Sequence, residues 1–584
     1  MHGLLSFLFG GDVMKKPVVK AMLAFTVVCA LLLSLAACNS GAPTTAPTTA
    51  AAPTTADAKT AEPTVEPTVE PTEAPAPLGL YDPPIEITSC IIVGADTKFD
   101  EGQDINNNVW TRYYEEALGI KLKFDWVANS WVDWDQKLNL AITSNELPDY
   151  FVCNSNQFKS LYDNEMIQDL SQYFEDYSTP DTKKMLTADP IGFKSAQIEG
   201  KLFGLPSTDS SVAQINLLWI RNDWLKALNL PMPTTMQELI DTAQAFTKQD
   251  PDKNGKDDTY GIAFNKGLWS AFASVTGFVN GYHAYPYMWL DDGKGGVMNG
   301  SIQPEFKNAL AALQGMYKDG LIDPEFGVKD ADKAGQEMLA GRYGIQYGSW
   351  WNPDYPLATS KVTNPNADWV PLLGLSADDK PVKPGYSNFI SSYLVVRKEY
   401  EHPEAIVKMM NLWTDVIINP TEEKMGTYIV NLKQQDVVYY KYINVMGWDP
   451  AGGTKKWKSI VAALDAKDKA GLGIEEAMTY DNIQLYLGGD MTMWAAYAEF
   501  GPEGSSKYID IAAQGQSLCN LFYGAATPTM AEKMSALQKM HDTMVTNVIL
   551  GASLDTFDKF VEDWKKLGGD EITKEVNEWY AKNK

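Results

Sequence analysis

A largely apolar run, Ala21 to Ala37, follows Lys15, Lys16 and Lys20. Polar, proline-rich sequence then intervenes until residue 85, where apolar positions begin to recur with two alternating periods. Ile85 to Val93 reads as a buried strand, stopped at Gly94-Ala95-Asp96. Residues 106–118 have helical spacing and end at Gly119, a residue suited to stopping a helix. Ile120 to Val127 reads as a second strand. Residues 131–145 return to helical spacing, with Trp134, Leu138 and Ala141 on one face. Asp149 to Cys153 reads as a third strand, opening into Asn154-Ser155-Asn156. Strands alternating with helices of these lengths predict an α/β fold with a parallel, doubly wound sheet. Ligands of such sheets lie at the carboxyl ends of strands. Asp96, Asn154 and Asn156 occupy those ends and are candidate ligand contacts.

The pattern continues to the C-terminus. Gly200-Lys201-Leu202-Phe203-Gly204-Leu205-Pro206 reads as a hairpin edge leading into an extended crossing. Leu217 to Ile220 is a strand. Thr235 followed by Glu238 fits a capping box at a helix start. Helical patterns fill residues 303–340. A short strand, Tyr343 to Tyr347, then delivers Gly348-Ser349-Trp350-Trp351. Asn388 to Val396 is another strand-like run. Phe557, Phe560, Val561 and Trp564 line one face of a final helical region. Tyr523 precedes the last crossing expected between the two halves of the body.

The first apolar run changes the picture of where this body resides. It is shorter than the roughly twenty residues that span a bilayer, follows a basic segment and ends in Leu35-Ala36-Ala37-Cys38. That pattern predicts a signal segment over 1–37, with Met14 as the possible true start, cut before a lipidated Cys38. Residues 38–84 follow as a tether rich in Pro, Thr and Glu, which stays extended and buries no core.

What remains is too long for one core, so two lobes are expected. The first spans 85–211 with about 392–485. The second spans 212–391 with about 486–584. The net charge of −26 gives no electrostatic basis for nucleic-acid binding. Of five cysteines, only Cys90, Cys153 and Cys519 lie in the body, without metal-type spacing. No nucleophile elbow, His-Glu-x-x-His helix or phosphate loop is present. A non-enzyme is therefore expected.

One loop carries sharper chemistry. Asp250, Asp252, Asn254 and Asp258 place oxygen side chains at positions 1, 3, 5 and 9, with Gly255 at 6. Lys256 would add its backbone carbonyl. This is the spacing of a calcium-binding EF-hand loop, except that position 12 is Gly261 rather than Glu. A structural calcium is expected there.

The chain resembles the bacterial extracellular solute-binding proteins, lipoprotein receptors of ABC importers, and most of all their large oligosaccharide-binding branch. The likeness rests on Leu147-Pro148-Asp149-Tyr150-Phe151, the 200–206 hairpin and Ile220-Arg221-Asn222-Asp223-Trp224-Leu225. Leu567-Gly568-Gly569-Asp570 and Asn577-Glu578-Trp579-Tyr580 complete the series, in order along 85–584. The resemblance implies a two-lobed periplasmic-binding-protein-like fold of type II, with hinge crossings. It implies a monomer on the outer face of a Gram-positive membrane that hands a carbohydrate to permease subunits. Similar strand-to-Trp turns in maltose-binding relatives make Trp350, and less directly Trp351, sugar-stacking residues. Trp269 lies where such relatives carry another ring, and alginate-binding relatives carry a similar calcium loop. A cell-surface glycosidase or a polysaccharide-binding adhesin remains the alternative.

Overall fold

The computed structural model describes residues 76–584 except 96, 391, 435 and 436. Strands Ile85–Ile92 and Ile120–Ala128 pair in parallel, with Ile85 opposite Ile120 and Ile92 opposite Ala128. Helix Val109–Leu118 connects them. Asn108 accepts from the Trp110 and Thr111 amides at its start, and Gly119 ends it at φ 67°. Along Ile120–Ala128, Ile120, Leu122 and Phe124 are buried while Lys121, Lys123 and Asp125 are exposed, so this strand offers one face to the core.

The neighbouring sheet departs from the parallel expectation. Its central strand, Tyr393–Val396, runs antiparallel to both Tyr150–Cys153 and Leu205–Pro206. The Thr88 amide and hydroxyl both donate to Asp149 Oδ2, at 2.8 and 2.9 Å, joining the parallel pair to this sheet. A second sheet has the order 369–372, 217–221, 343–348, 260–262. Only its last pair is parallel. The physical reason is chain return. A strand that re-enters a lobe from the opposite lobe arrives from the crossing side and inserts against the local direction.

Two large cores follow. The first joins buried residues of 87–205 to those of 393–445, around Trp110, Tyr114 and Trp413. The second joins 218–375 to 530–576, including Phe306, Phe557, Phe560 and Trp564. The chain passes between them three times, and the crossings lie side by side. The Ser207 amide donates to the Ser392 carbonyl at 2.9 Å. The Trp448 amide donates to the Thr208 carbonyl, and the Thr208 hydroxyl returns a bond to the Trp448 carbonyl, both at 2.8 Å. Helices Gly452–Ala466 and Ile474–Leu487 bury Ile460 and Ile483 against Ala496, Phe500 and Trp350 rather than in the first core, with which the sequence had grouped residues up to about 485. Among the described residues no helix is long and apolar enough to cross a membrane.

Candidate functional site

Asn154 and Asn156 stand where the sequence put them, just past the carboxyl end of Tyr150–Cys153. Asn154 is largely consumed locally. Its carbonyl oxygen caps helix Ser155–Asp163 by accepting from the Asn156 and Gln157 amides at 3.0 Å. Asn156 is exposed and reaches the other lobe, where its Oδ1 accepts from the Ala526 amide at 3.2 Å. Ala526 leads into helix Pro528–Ile549, whose buried side chains belong to the second core. Asp96 and Cys38 lie outside the described residues.

In the second lobe, the parallel strands Tyr260–Ile262 and Tyr343–Gly348 end at two loops that pack together. The Ser349 amide donates to the Ala271 carbonyl at 2.8 Å. Gln346 bridges the loops, accepting from the Ala273 amide at 2.9 Å and donating to Asn352 Oδ1 at 3.0 Å. Gly348 permits this closeness, because a Cβ there would lie 2.0 Å from Asn352 Oδ1 and 2.7 Å from the Ala271 carbonyl. Trp350 and Trp351 leave this turn half-buried. The Trp350 ring meets Phe500 edge-on at 6.1 Å, and its carbonyl accepts from the Ser505 hydroxyl at 2.8 Å. Beneath them Glu499 is 1 % exposed and hydrogen-bonded to Asp354. Burial, then the neighbouring Asp354 carboxylate, push the Glu499 carboxyl well above its usual range. Sealed in this way, Glu499 cannot flank a glycosidic bond as a hydrolytic carboxyl must.

Trp269, on the adjoining loop, is more firmly held. Its indole N–H donates to Asp542 Oδ1 at 2.7 Å. The Tyr287 hydroxyl donates to the same oxygen. A phenol has one proton to give, so the 2.7 Å contact between Tyr287 Oη and His541 Nδ1 requires His541 to donate there. His541 is enclosed by rings, with Phe306 stacked on it at 5.3 Å, and burial keeps it neutral by lowering its pKa. Partial burial raises the Asp542 pKa, but the neighbouring His541 and the bonds from Tyr287 and Trp269 outweigh it and hold the carboxyl below the usual range. The sequence left Tyr287 unplaced and did not single out Asp542. The one available signal was His541 on an otherwise apolar helix face, beside an acid. Tyr523 is set apart from this group: its hydroxyl donates to the Asn583 carbonyl at 3.1 Å and its ring packs edge-on against Trp579.

The acidic loop folds back on one amide. Asn254 Nδ2 donates to Asp252 Oδ2 at 2.8 Å and to Asp258 Oδ1 at 3.1 Å, while the Gly255 amide donates to Asp250 Oδ2 at 3.0 Å. Gly255 turns the chain at φ 76°. Partial burial and the nearby Asp250 raise the Asp252 pKa. These oxygen donors suit a hard cation by chemistry. Among the described residues, no cluster of three His, Cys, Asp or Glu side chains has metal-holding geometry. The Asn254 amide now occupies the position between Asp252 and Asp258 and would have to turn its oxygen inward.

Comparison with known proteins agrees with this architecture. Lipoprotein LipO of Bacillus subtilis is 24 % identical over 488 residues, covering 80 % of this chain and 88 % of that protein. The polygalacturonan/rhamnogalacturonan-binding protein YtcQ of the same organism is 24 % identical over 475 residues, covering 80 % and 87 %. A solute-binding protein from Bifidobacterium longum infantis, described as binding HMO and associated with an ABC transporter, superposes with a TM-score of 0.60 at 15 % identity. That match covers 85 % of this chain and 99 % of the other. The family model for bacterial extracellular solute-binding proteins matches residues 96–415, and the chain belongs to that family.

Proposed function

We propose that this protein is the extracellular receptor of an ABC importer and captures an oligosaccharide between its two lobes. The observation that carries the reading is the placement of aromatic side chains. Trp269 and Trp350 emerge half-buried from adjoining loops that follow the carboxyl ends of parallel strands. Half-buried indoles suit the apolar C–H faces of sugar rings, and Asn156 can bond hydroxyls at the opposing strand end. Trp351 and Tyr523 are assigned to the margins of the same cleft, and Asp96 is kept as a candidate ligand contact. Three adjacent crossings allow the lobes to close by small backbone rotations, driven by contacts that exist only in the shut form. The relatives described as polygalacturonan- and HMO-binding support the ligand class.

The receptor is assigned no catalytic activity, a monomeric state and permease subunits as partners. Lobe one comprises 85–211 with the returning segment from about 392, and lobe two 212–391 with the C-terminal helices. Cys38 carries the lipid anchor, and the tether to residue 84 holds the body above the membrane. Asp250, Asp252, Asn254, the Lys256 carbonyl and Asp258 hold a structural calcium. The central test combines glycan-array binding, product analysis and X-ray scattering. Binding of short oligosaccharides with compaction and no turnover is expected. Released product would instead make the protein a glycosidase, and saturation without compaction would overturn lobe closure.

A further inference from the structure

The second-lobe wall contains an acceptor with no role in holding the fold's backbone together. Helices Pro304–Lys318 and Pro528–Ile549 run side by side in the same direction: Phe306 faces His541, and Gln314 donates to the Val548 carbonyl at 2.6 Å. The N-terminal end of the first helix marks the level of the strand carboxyl ends. Asp542 sits at that level, and the first half of its helix projects beyond it toward Asn156. The acid therefore shares the strand-end level at which ligands of such sheets bind.

Two donors converge on one Asp542 oxygen, with the His541 ring beside it. Trp269 and Tyr287 donate to Oδ1, and His541 lies 3.3 Å from it. The side chain nevertheless keeps 44 % of its surface exposed. Oδ2 appears in none of these bonds. Its charge is retained beside a half-buried indole, and His541, its one ion-pair partner among the described residues, is neutral. The ring and the carboxylate are thus fixed to each other before any ligand arrives, which lowers the ordering cost of binding.

We infer that Asp542 is a specificity-determining residue of the cleft, accepting a hydroxyl of a sugar stacked on Trp269 and selecting neutral oligosaccharides over uronic-acid polymers. The inference rests on the sugar-capture reading above. A neutral sugar donates its hydroxyl to the free oxygen and gains a charge-assisted bond. A uronate brings a second carboxylate toward an uncompensated one and meets like-charge repulsion. Tyr287 is a positioning residue, since it acts on the ligand through Asp542.

The test measures affinity by calorimetry for malto-, xylo- and fructo-oligosaccharides and for oligogalacturonates of matched length. It uses the wild-type protein, Asp542→Asn and Asp542→Glu, each checked for an unchanged melting midpoint. Neutral sugars are expected to bind at least about tenfold more tightly than oligogalacturonates. Asp542→Asn should weaken the neutral ligand about tenfold or more, the usual scale for a hydrogen bond to a charged group. Asp542→Glu should recover part of the loss, which separates charge from shape. Neutral binding unchanged in a folded Asp542→Asn protein would overturn the inference while leaving sugar capture intact. Tightest binding of oligogalacturonates by the wild type would do the same. Failure of every sugar to bind would remove both readings.

Discussion

Asn156 and Ala526, 370 residues apart in sequence, are joined by a 3.2 Å hydrogen bond between a side-chain oxygen and a backbone amide. The bond links a strand end of the first lobe to the approach of a second-lobe helix. It bridges the two lobes and opposes their separation. Asn156→Ala removes the acceptor without touching either core. We expect a loss of about 1 kcal/mol from the closed form. Scattering should show a larger radius of gyration for the ligand-free variant, and ligand should dissociate faster. A radius identical to wild type would show that the contact does not set the lobe equilibrium.

Gly348 sets how closely the Trp350 turn approaches its neighbour. A methyl group there meets the backbone carbonyl of Ala271 and Asn352 Oδ1, which is held in place by its hydrogen bond from Gln346. Gly348→Ala is expected to cost about 1–3 kcal/mol and to lower the melting midpoint. Ligand affinity should fall with it, because both indole-bearing loops must shift. A variant as stable as wild type that binds normally would contradict this account of the turn.

Glu499 makes stability depend on pH in a defined direction. Its folded pKa is raised by burial and by Asp354, so the folded state holds a proton that the unfolded chain releases from about its ordinary value of 4.5 upward. Stability from this group is complete below that value and declines as pH rises toward the folded pKa. Glu499→Gln cannot ionise. It should melt higher than wild type at mildly alkaline pH, with the difference shrinking toward pH 4.5. A gap that stays constant across the range would refute the assignment.

The 250–258 loop should respond to calcium. Asp252 and Asp258, which flank the Asn254 amide, would lose their mutual repulsion to a bound divalent cation, and a ligand at one hundred times its dissociation constant stabilises a fold by about 2.7 kcal/mol. Calcium should raise the melting midpoint of wild type, and Asp252→Asn combined with Asp258→Asn should abolish the rise. No heat of binding and no midpoint change in wild type would exclude the site.

Much of the first lobe was legible because its signals are local. The helix read over 131–145 is present as Trp131–Ser144, and the strand read to Val127 extends to Ala128. Capping chemistry also marks boundaries, although Glu238 turns its carboxylate to Thr234 rather than completing a box with Thr235. Sheet direction was not legible. Tyr393–Val396 pairs with residues more than 180 positions away, and nothing in its own composition fixes which way it inserts. The cleft divides along the same line. Trp350 announces itself by following a strand, whereas Asp542 resembles any solvated acid until folding brings Trp269 and Tyr287 to it from more than 250 residues away.

Helix Pro528–Ile549 has 22 residues, and its two ends do different work. One end is packed in the second core, and the other meets the first lobe through Ala526. A helix advances about 1.5 Å per residue and repeats its facing every 3.6 residues. The segment is therefore a gauge for the gap in which a ligand must fit. Inserting seven residues, about two turns, before Leu537 would widen the jaws by about 10.5 Å and return the side chains to within about 20° of their original bearing. Receptors of this build can thus lengthen their grip in quantised steps, with the chemistry at the strand ends left unchanged.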